Sequence, residues 1–143
     1  MSANYRELIK FSDQIDKLND RQKEEFLESC CKELAARLLA KVIKRTPSST
    51  GILRRGWTAG SNQNATAYAN SLSVRRIGNK YHIDIINPVE YASYVEYGHR
   101  TRDHQGWVEG HHMLTISEAE LNSISDAILQ KKLNKFMKGV FGI

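Results

Sequence analysis

The sequence predicts an α+β domain, and three observations carry that reading. Apolar residues recur every fourth position behind a capping signal at Asn19. Two β-rich runs flank Gly78-Asn79, and a second helical period runs from Ser117 to Met137. Helices gathered at the two ends of a small antiparallel sheet point to α+β rather than alternating α/β architecture. At 143 residues and 41% hydrophobic content, one modest core and one domain over 1–143 are expected.

Over residues 4–18, Tyr5, Leu8, Ile9, Phe11, Ile15 and Leu18 stand among charges in a loose helical pattern, one helix or two broken near Ser12-Asp13. Asn19 with Gln22 three residues on resembles a capping box, and Phe26, Cys30, Leu34, Leu38 and Val42 form an apolar stripe behind it. This spacing predicts a long helix over 20–45. Pro47 ends it, because the residue before a proline is pushed out of helical geometry. Leu53 to Ala59 then reads as a strand, and the polar stretch Gly60 to Thr66 as a mobile loop. Tyr68–Ile77 and Lys80–Ile86 form a hairpin across Gly78-Asn79, two residues that tolerate positive φ.

A two-residue hairpin loop sets Ile77 opposite Lys80. Arg76 then faces Tyr81, Val74 faces Ile83 and Leu72 faces Ile85 on the side that packs on a helix, while Arg75 with His82 and Ser73 with Asp84 share the outer side. Asn87-Pro88-Val89-Glu90 carries a helix start signal, with two turns over Tyr91–Tyr97 closed by Gly98. Residues 99–112 lack any period and are rich in polar side chains, so an exposed arm is expected, and a loop of that length usually has a task. Leu121, Ile124, Ile128, Leu129, Leu133 and Phe136 place an amphipathic helix over Ser117–Met137.

Charge is distributed unevenly. The formal net charge is +5, yet between Glu33 and Asp84 there are nine Lys or Arg and no Asp or Glu. Cations so grouped repel one another, so an outside receiver is expected for Arg37, Lys41, Lys44, Arg45, Arg54, Arg55, Arg75, Arg76 and Lys80: nucleic acid, an acidic ligand, or an acidic face of another subunit. Cys30 and Cys31 are helical neighbours about 100° apart, a poor geometry for a mutual disulfide, and read as reduced thiols. No apolar run approaches the ~18 residues of a membrane span, and the N-terminus shows no signal-peptide pattern. A cytoplasm-like environment is expected.

His99, His104, His111 and His112, with Glu96, Asp103 and Glu109, are the one cluster with zinc-like donors. Their irregular spacing and two intervening glycines argue for a solvated, partner-contacting loop over a metal site. There is no Gly-x-Ser-x-Gly elbow, no Gly-rich phosphate loop and no isolated carboxylate pair, so neither an enzyme nor a cofactor is expected. In the basic segment, Arg54, Arg55, Arg75 and Arg76 offer phosphate contacts and Trp57 or Tyr68 a stacking surface. The alternative makes Trp57 a core aromatic on a central strand and the arginines an oligomer face. The lack of a helix-turn-helix, zinc-finger or aromatic RNA-binding signature favours this second reading.

Two motifs carry a family resemblance. Thr46-Pro47-Ser48-Ser49-Thr50-Gly51-Ile52-Leu53-Arg54-Arg55-Gly56-Trp57, directly after the long helix, resembles the signature of a small family of tail components of long-tailed bacteriophages. Pro88-Val89-Glu90-Tyr91-Ala92-Ser93-Tyr94-Val95-Glu96-Tyr97-Gly98-His99-Arg100 is similar to that family's second element, at the expected separation and ahead of a C-terminal helix. The chain departs from the pattern at Ser48-Ser49, where Val-Asp is usual. It departs again at Gly110-His111-His112-Met113-Leu114, in place of a Pro-Phe-Leu-like stretch.

The resemblance implies a virion structural protein without chemistry of its own, from a phage, prophage or phage-tail-like particle. Such proteins complete the tail or form the neck, between head connector and tail tube, and commonly assemble as rings. It implies as partners other tail and neck proteins (tail terminator, connector or tail tube) and further copies of the chain, with a monomer compatible before docking. It places the protein in the virion, after assembly in the host bacterial cytoplasm, with DNA passing through the lumen and no membrane. The alternative is a DNA-contacting protein of the neck or packaging region. Contacts are expected from Arg54, Arg55, Trp57, Arg75, Arg76, Glu96, His99, Arg100, Arg102 and Trp107. Pro47, Thr50, Gly51 and Gly98 shape the turns, with Thr50-Gly51 reversing the chain to set Arg54 and Arg55 at the start of the sheet.

Overall fold

A computed structural model describes residues 14–48, 51–78 and 80–142. Most of the helix expected over 4–18 lies outside these residues; residues 14–16 are helical and Leu18 is buried. Helix α1 (Asp20–Arg45) begins with the expected capping box, in which Gln22 N donates to Asn19 Oδ1 at 2.9 Å and Asn19 N to Gln22 Oε1 at 3.0 Å. It ends at Thr46, held in extended geometry ahead of Pro47. Its buried face is Phe26, Cys30, Ala35, Ala36, Leu39 and Val42. A strict four-residue stripe drifts about 40° per step around a 3.6-residue helix, so Leu34 and Leu38 leave the centre of the contact to Ala35 and Leu39.

Three expectations after Pro47 are corrected. Ile52–Gly56 is a short helix, α2, instead of a strand. Gly51 enters it at φ +74°, and Leu53 and Trp57 share its inward face at i, i+4 spacing, each 4% exposed. Ala65–Ser71 is helix α3, capped by Asn64, whose side chain accepts from Ala67 N at 2.8 Å. It takes the place of the loop's last two residues and the first half of the expected strand Tyr68–Ile77. Ala69 of α3 is fully buried, and α3 packs along α1. The hairpin shrinks to β1 (Arg75–Ile77) and β2 (Lys80–His82) with the expected register, Arg75↔His82, Arg76↔Tyr81 and Ile77↔Lys80. The Val74–Ile83 and Leu72–Ile85 rungs do not form part of the ladder, although Ile83 and Ile85 still pack on the core. Asn79 lies outside the described residues.

Helix α4 (Ala92–Tyr97) starts after Tyr91, so Asn87 does not cap it, and Gly98 closes it at φ +89° as expected. The arm over 99–112 is exposed but not structureless, for β3 (Gly98–Arg100) pairs antiparallel with β4 (Trp107–Glu109). A period-2 signal cannot show in strands three residues long. Helix α5 (Met113–Phe141) overruns the expected 117–137 at both ends. It runs back along α1: Met113 meets Thr46 near one end, and Leu133 and Met137 join Phe26 and Cys30 near the other. The larger cluster, Leu39, Val42, Leu53, Trp57 and Met113 among others, sits where α1, α2, α3 and the start of α5 converge.

Candidate functional site

The first family-like motif folds into a corner organised by one buried hydroxyl. Thr46 is 1% exposed, and its Oγ1 donates to Val42 O at 2.6 Å while accepting from Trp57 Nε1 at 2.8 Å. Arg54 Nε donates to Thr46 O at 2.8 Å, closing the turn from the opposite side. Directly ahead of the second motif, Asn87 Nδ2 donates to Leu53 O at 2.8 Å, and its Oδ1 lies so close to Gly56 that a Cβ there would collide with it. Thus the first motif meets the start of the second in space, Gly56 lying against Asn87 and Val89, residues that no periodicity singled out. Pro47 and Gly51 occupy the turn; Thr50 lies outside the described residues.

The second motif ends in a clamp built around Glu96. This residue is 5% exposed, and its carboxylate accepts from Leu114 N at 2.7 Å, Thr115 N at 3.0 Å and Thr115 Oγ1 at 2.7 Å. These donors belong to the first turn of α5, whose own N-cap, His112, is left-handed and supplies no side-chain cap. Glu96 therefore caps a helix from a different element. Burial pushes its carboxyl up, but the Leu114 and Thr115 donors, aided by nearby His112, outweigh that and hold it below the usual carboxylate range.

Around the clamp the arm is stitched to its base. His111 N donates to Val95 O at 2.7 Å and His112 N to Glu96 O at 3.0 Å. A Cβ on Gly98 would lie 2.5 Å from Val108 O, and one on Gly110 would run into the Glu96 carbonyl, so the two strand feet cross at backbone contact. From this fixed base project Tyr94, Tyr97, Trp107 and Val108, with Tyr97 64% and Trp107 58% exposed. Tyr94 stacks obliquely on His99 at 5.8 Å between ring centres. At the tip, Thr101 Oγ1 and Gln105 N donate to Asp103 and hold its carboxyl below the ordinary value.

The contact residues expected from sequence divide accordingly. Arg55, His99, Arg100, Arg102 and Trp107 are on the surface, whereas Trp57 and Glu96 are interior residues held by their hydrogen bonds. The basic segment is answered from within at four of its nine cations: Arg37 pairs with Glu33, Arg75 with Asp84, and Lys41 and Arg45 with Glu120 of α5. Arg76 lies 5.6 Å from the centre of the Tyr81 ring. The expectation of an outside receiver is therefore corrected for Arg37, Lys41, Arg45 and Arg75; the acids that meet these four lie outside the segment or at its edges, Glu120 being 75 residues from Arg45.

Among the described residues no group of three or more His, Cys, Asp or Glu is arranged to hold a metal ion. The histidines are dispersed, with His99 Nδ1 at 2.8 Å from Arg100 O and His112 Nε2 at 3.2 Å from Glu109. Both cysteines are free, and burial pushes the Cys30 thiol up to about 12. No described helix is long and apolar enough to cross a membrane.

Compared with known families, residues 9–98 match one described as Bacteriophage HK97-gp10, putative tail-component. The match spans α1 to α4, contains the first motif and the second as far as Gly98, and stops there, at the foot of the arm. No curated protein and no solved structure matches the chain.

Proposed function

The chain belongs to the bacteriophage HK97-gp10-like family of tail components, and from that premise we propose that it is a tail-completion or neck component. It joins the tail to the head connector, or caps the tail, through subunit contacts in a ring, and it works by contact rather than by chemistry. The observation that carries this reading is the arm. Exposed aromatic side chains on a base fixed by a buried carboxylate and two glycine crossings form a pre-organised contact surface, and such patches mark interaction sites. Its partners are other tail or neck proteins and further copies of itself. It assembles in the host bacterial cytoplasm.

The internal pairing of Arg37, Lys41, Arg45 and Arg75 takes away part of the free charge on which the DNA-contacting alternative depends. A label on this chain, imaged on intact particles by electron microscopy, tests the role. A ring of label at the upper end of the tail is the expected result, and label absent from particles overturns it. For the corner, Arg55→Glu is the informative change, because Arg54 also closes the Thr46 turn while Arg55 is exposed. Arg55→Glu is expected to fold normally and to lower the yield of completed particles; a normal yield would remove the corner from the contact surface.

A further inference from the structure

Four of the nine cations of the basic segment pair within the fold, and three of the others gather around one recess. The recess, about 300 Å³, opens between α1, α2 and the turn that leads into α3. Ile43 and Ala65, which also pack on the larger core cluster, line it together with Ala40, so its floor is apolar. Arg54 and Arg55 stand on its wall, and Lys44 lies one helical turn beyond Ala40 on the same face of α1. Among the described residues no Asp or Glu lines it, and none occurs in the sequence from 34 to 83. Lys44, Arg54 and Arg55 have no ion-pair partner among the described residues.

These cations are not equally free. Arg54 donates to Thr46 O at 2.8 Å and to Lys44 O at 3.5 Å, so it sits on the carbonyl end of α1, whose dipole answers part of its charge. The exposed Arg55 guanidinium donates to no carbonyl among the described residues. Its Nη1 lies 2.8 Å from where a Cβ on Gly51 would stand, so the bare backbone of that turn gives the guanidinium its place. On the rim, Ser61 Oγ accepts from Gln63 N and Asn64 Oδ1 from Ala67 N, whereas the side-chain amides of Asn62 and Gln63 have no hydrogen-bond partner among the described residues.

A free guanidinium and two free amides over an apolar floor suit a carboxylate carried beside apolar carbon. The phosphates of duplex DNA supply the charge, but they lie on the outside of a hydrated helix and bring no apolar group to fill a recess. A glutamate or aspartate next to an aliphatic residue supplies both. We propose that this recess takes an acidic segment of a neighbouring tail protein, a carboxylate pairing with Arg55 while an adjacent aliphatic side chain lies on Ile43 and Ala65. The proposal rests on the contact reading above and names the partner's chemistry at the corner.

The test titrates the isotope-labelled full chain, followed by NMR, with a capped Leu-Glu-Leu-Glu peptide, its Leu-Gln-Leu-Gln counterpart and a short DNA duplex. Shifts in the amides of 55 and 58–65 with the acidic peptide, absent with the glutamine peptide, are expected. Arg55→Gln should weaken that binding about tenfold or more, the loss of a hydrogen bond to a charged group. Ala40→Glu, which sets a carboxylate of the chain's own beside the recess, should abolish it. Both positions are exposed, so unchanged spectra away from the recess verify that each variant is folded. No shifts at these amides, equal binding of the two peptides, or full binding by either variant overturns the proposal. Tighter binding of the duplex at the same amides also overturns it and assigns the recess to phosphate. Label at the tail end together with a recess that binds no acidic peptide would remove this contact and leave the tail role standing, whereas peptide binding at the recess in a protein absent from particles would do the reverse.

Discussion

Replacing Glu96 probes the joint between the two halves of the fold. Its carboxylate receives two amides and a hydroxyl from the first turn of α5, and that helix has no other side-chain cap. Losing a helix cap costs about 1 kcal/mol, and losing a partly buried negative charge at a helix N-terminus costs up to about 2 kcal/mol. Glu96→Ala should therefore destabilise the protein by about 3 kcal/mol, or about 10 °C in Tm for a chain of this size. Glu96→Gln keeps one acceptor and should cost about half as much. Because the folded-state pKa is depressed, the charge contributes its stability above the unfolded value near 4.3, and that stability is lost as pH falls through the folded value. Thermal melts of wild type and Glu96→Gln should accordingly run a constant distance apart from about pH 6 to 8 and draw together as pH falls through the lowered folded-state value. Hydrogen exchange at Leu114 and Thr115 should rise in both variants. A Glu96→Ala protein melting within about 1 °C of wild type, with those amides still protected, would refute the capping role.

Three further outcomes follow from the same geometry. Gly98→Ala adds a methyl 2.5 Å from Val108 O at a φ of +89°, so it should cost more than about 1 kcal/mol and open the arm, read as faster proteolysis within 99–109. Thr46→Val keeps the shape but strands the buried Trp57 N–H, which should cost about 1–3 kcal/mol and alter Trp57 fluorescence, measured against a Trp107→Phe background. With its thiol pushed up to about 12, Cys30 should stay unmodified by thiol reagents at pH 8 until the protein unfolds; labelling of a Cys31→Ser variant at the rate of a free thiol would contradict that.

The residues that were legible in sequence are those whose signal is local. Asn19 and Gln22 sit three apart and cap α1 as expected, because both partners of that exchange lie in one turn. Gly78 and its neighbours set the β1–β2 register for the same reason, and Gly98 ends α4 because no other residue enters φ +89° so readily. The stretch from Ile52 to Ser71 misled because a five-residue and a seven-residue helix are shorter than the window in which a period declares itself, and Ile, Leu and Trp are equally at home in strands. Packing on α1 decided the matter.

For the candidate site the division is sharper. Composition and spacing determined that the chain has two long helices, a corner after Pro47 and an exposed, aromatic and basic arm, since each depends on residues near one another in the chain. They could not determine which charges are free. That Glu120 meets Arg45, that Glu96 caps α5 and that Asn87 locks Gly56 are facts of tertiary structure, set by side chains 18 to 75 residues apart. Electrostatic energy depends on distance in space, and only the folded chain supplies those distances, so a basic segment that reads as a surface awaiting a partner proves to have four of its nine cations paired by its own fold.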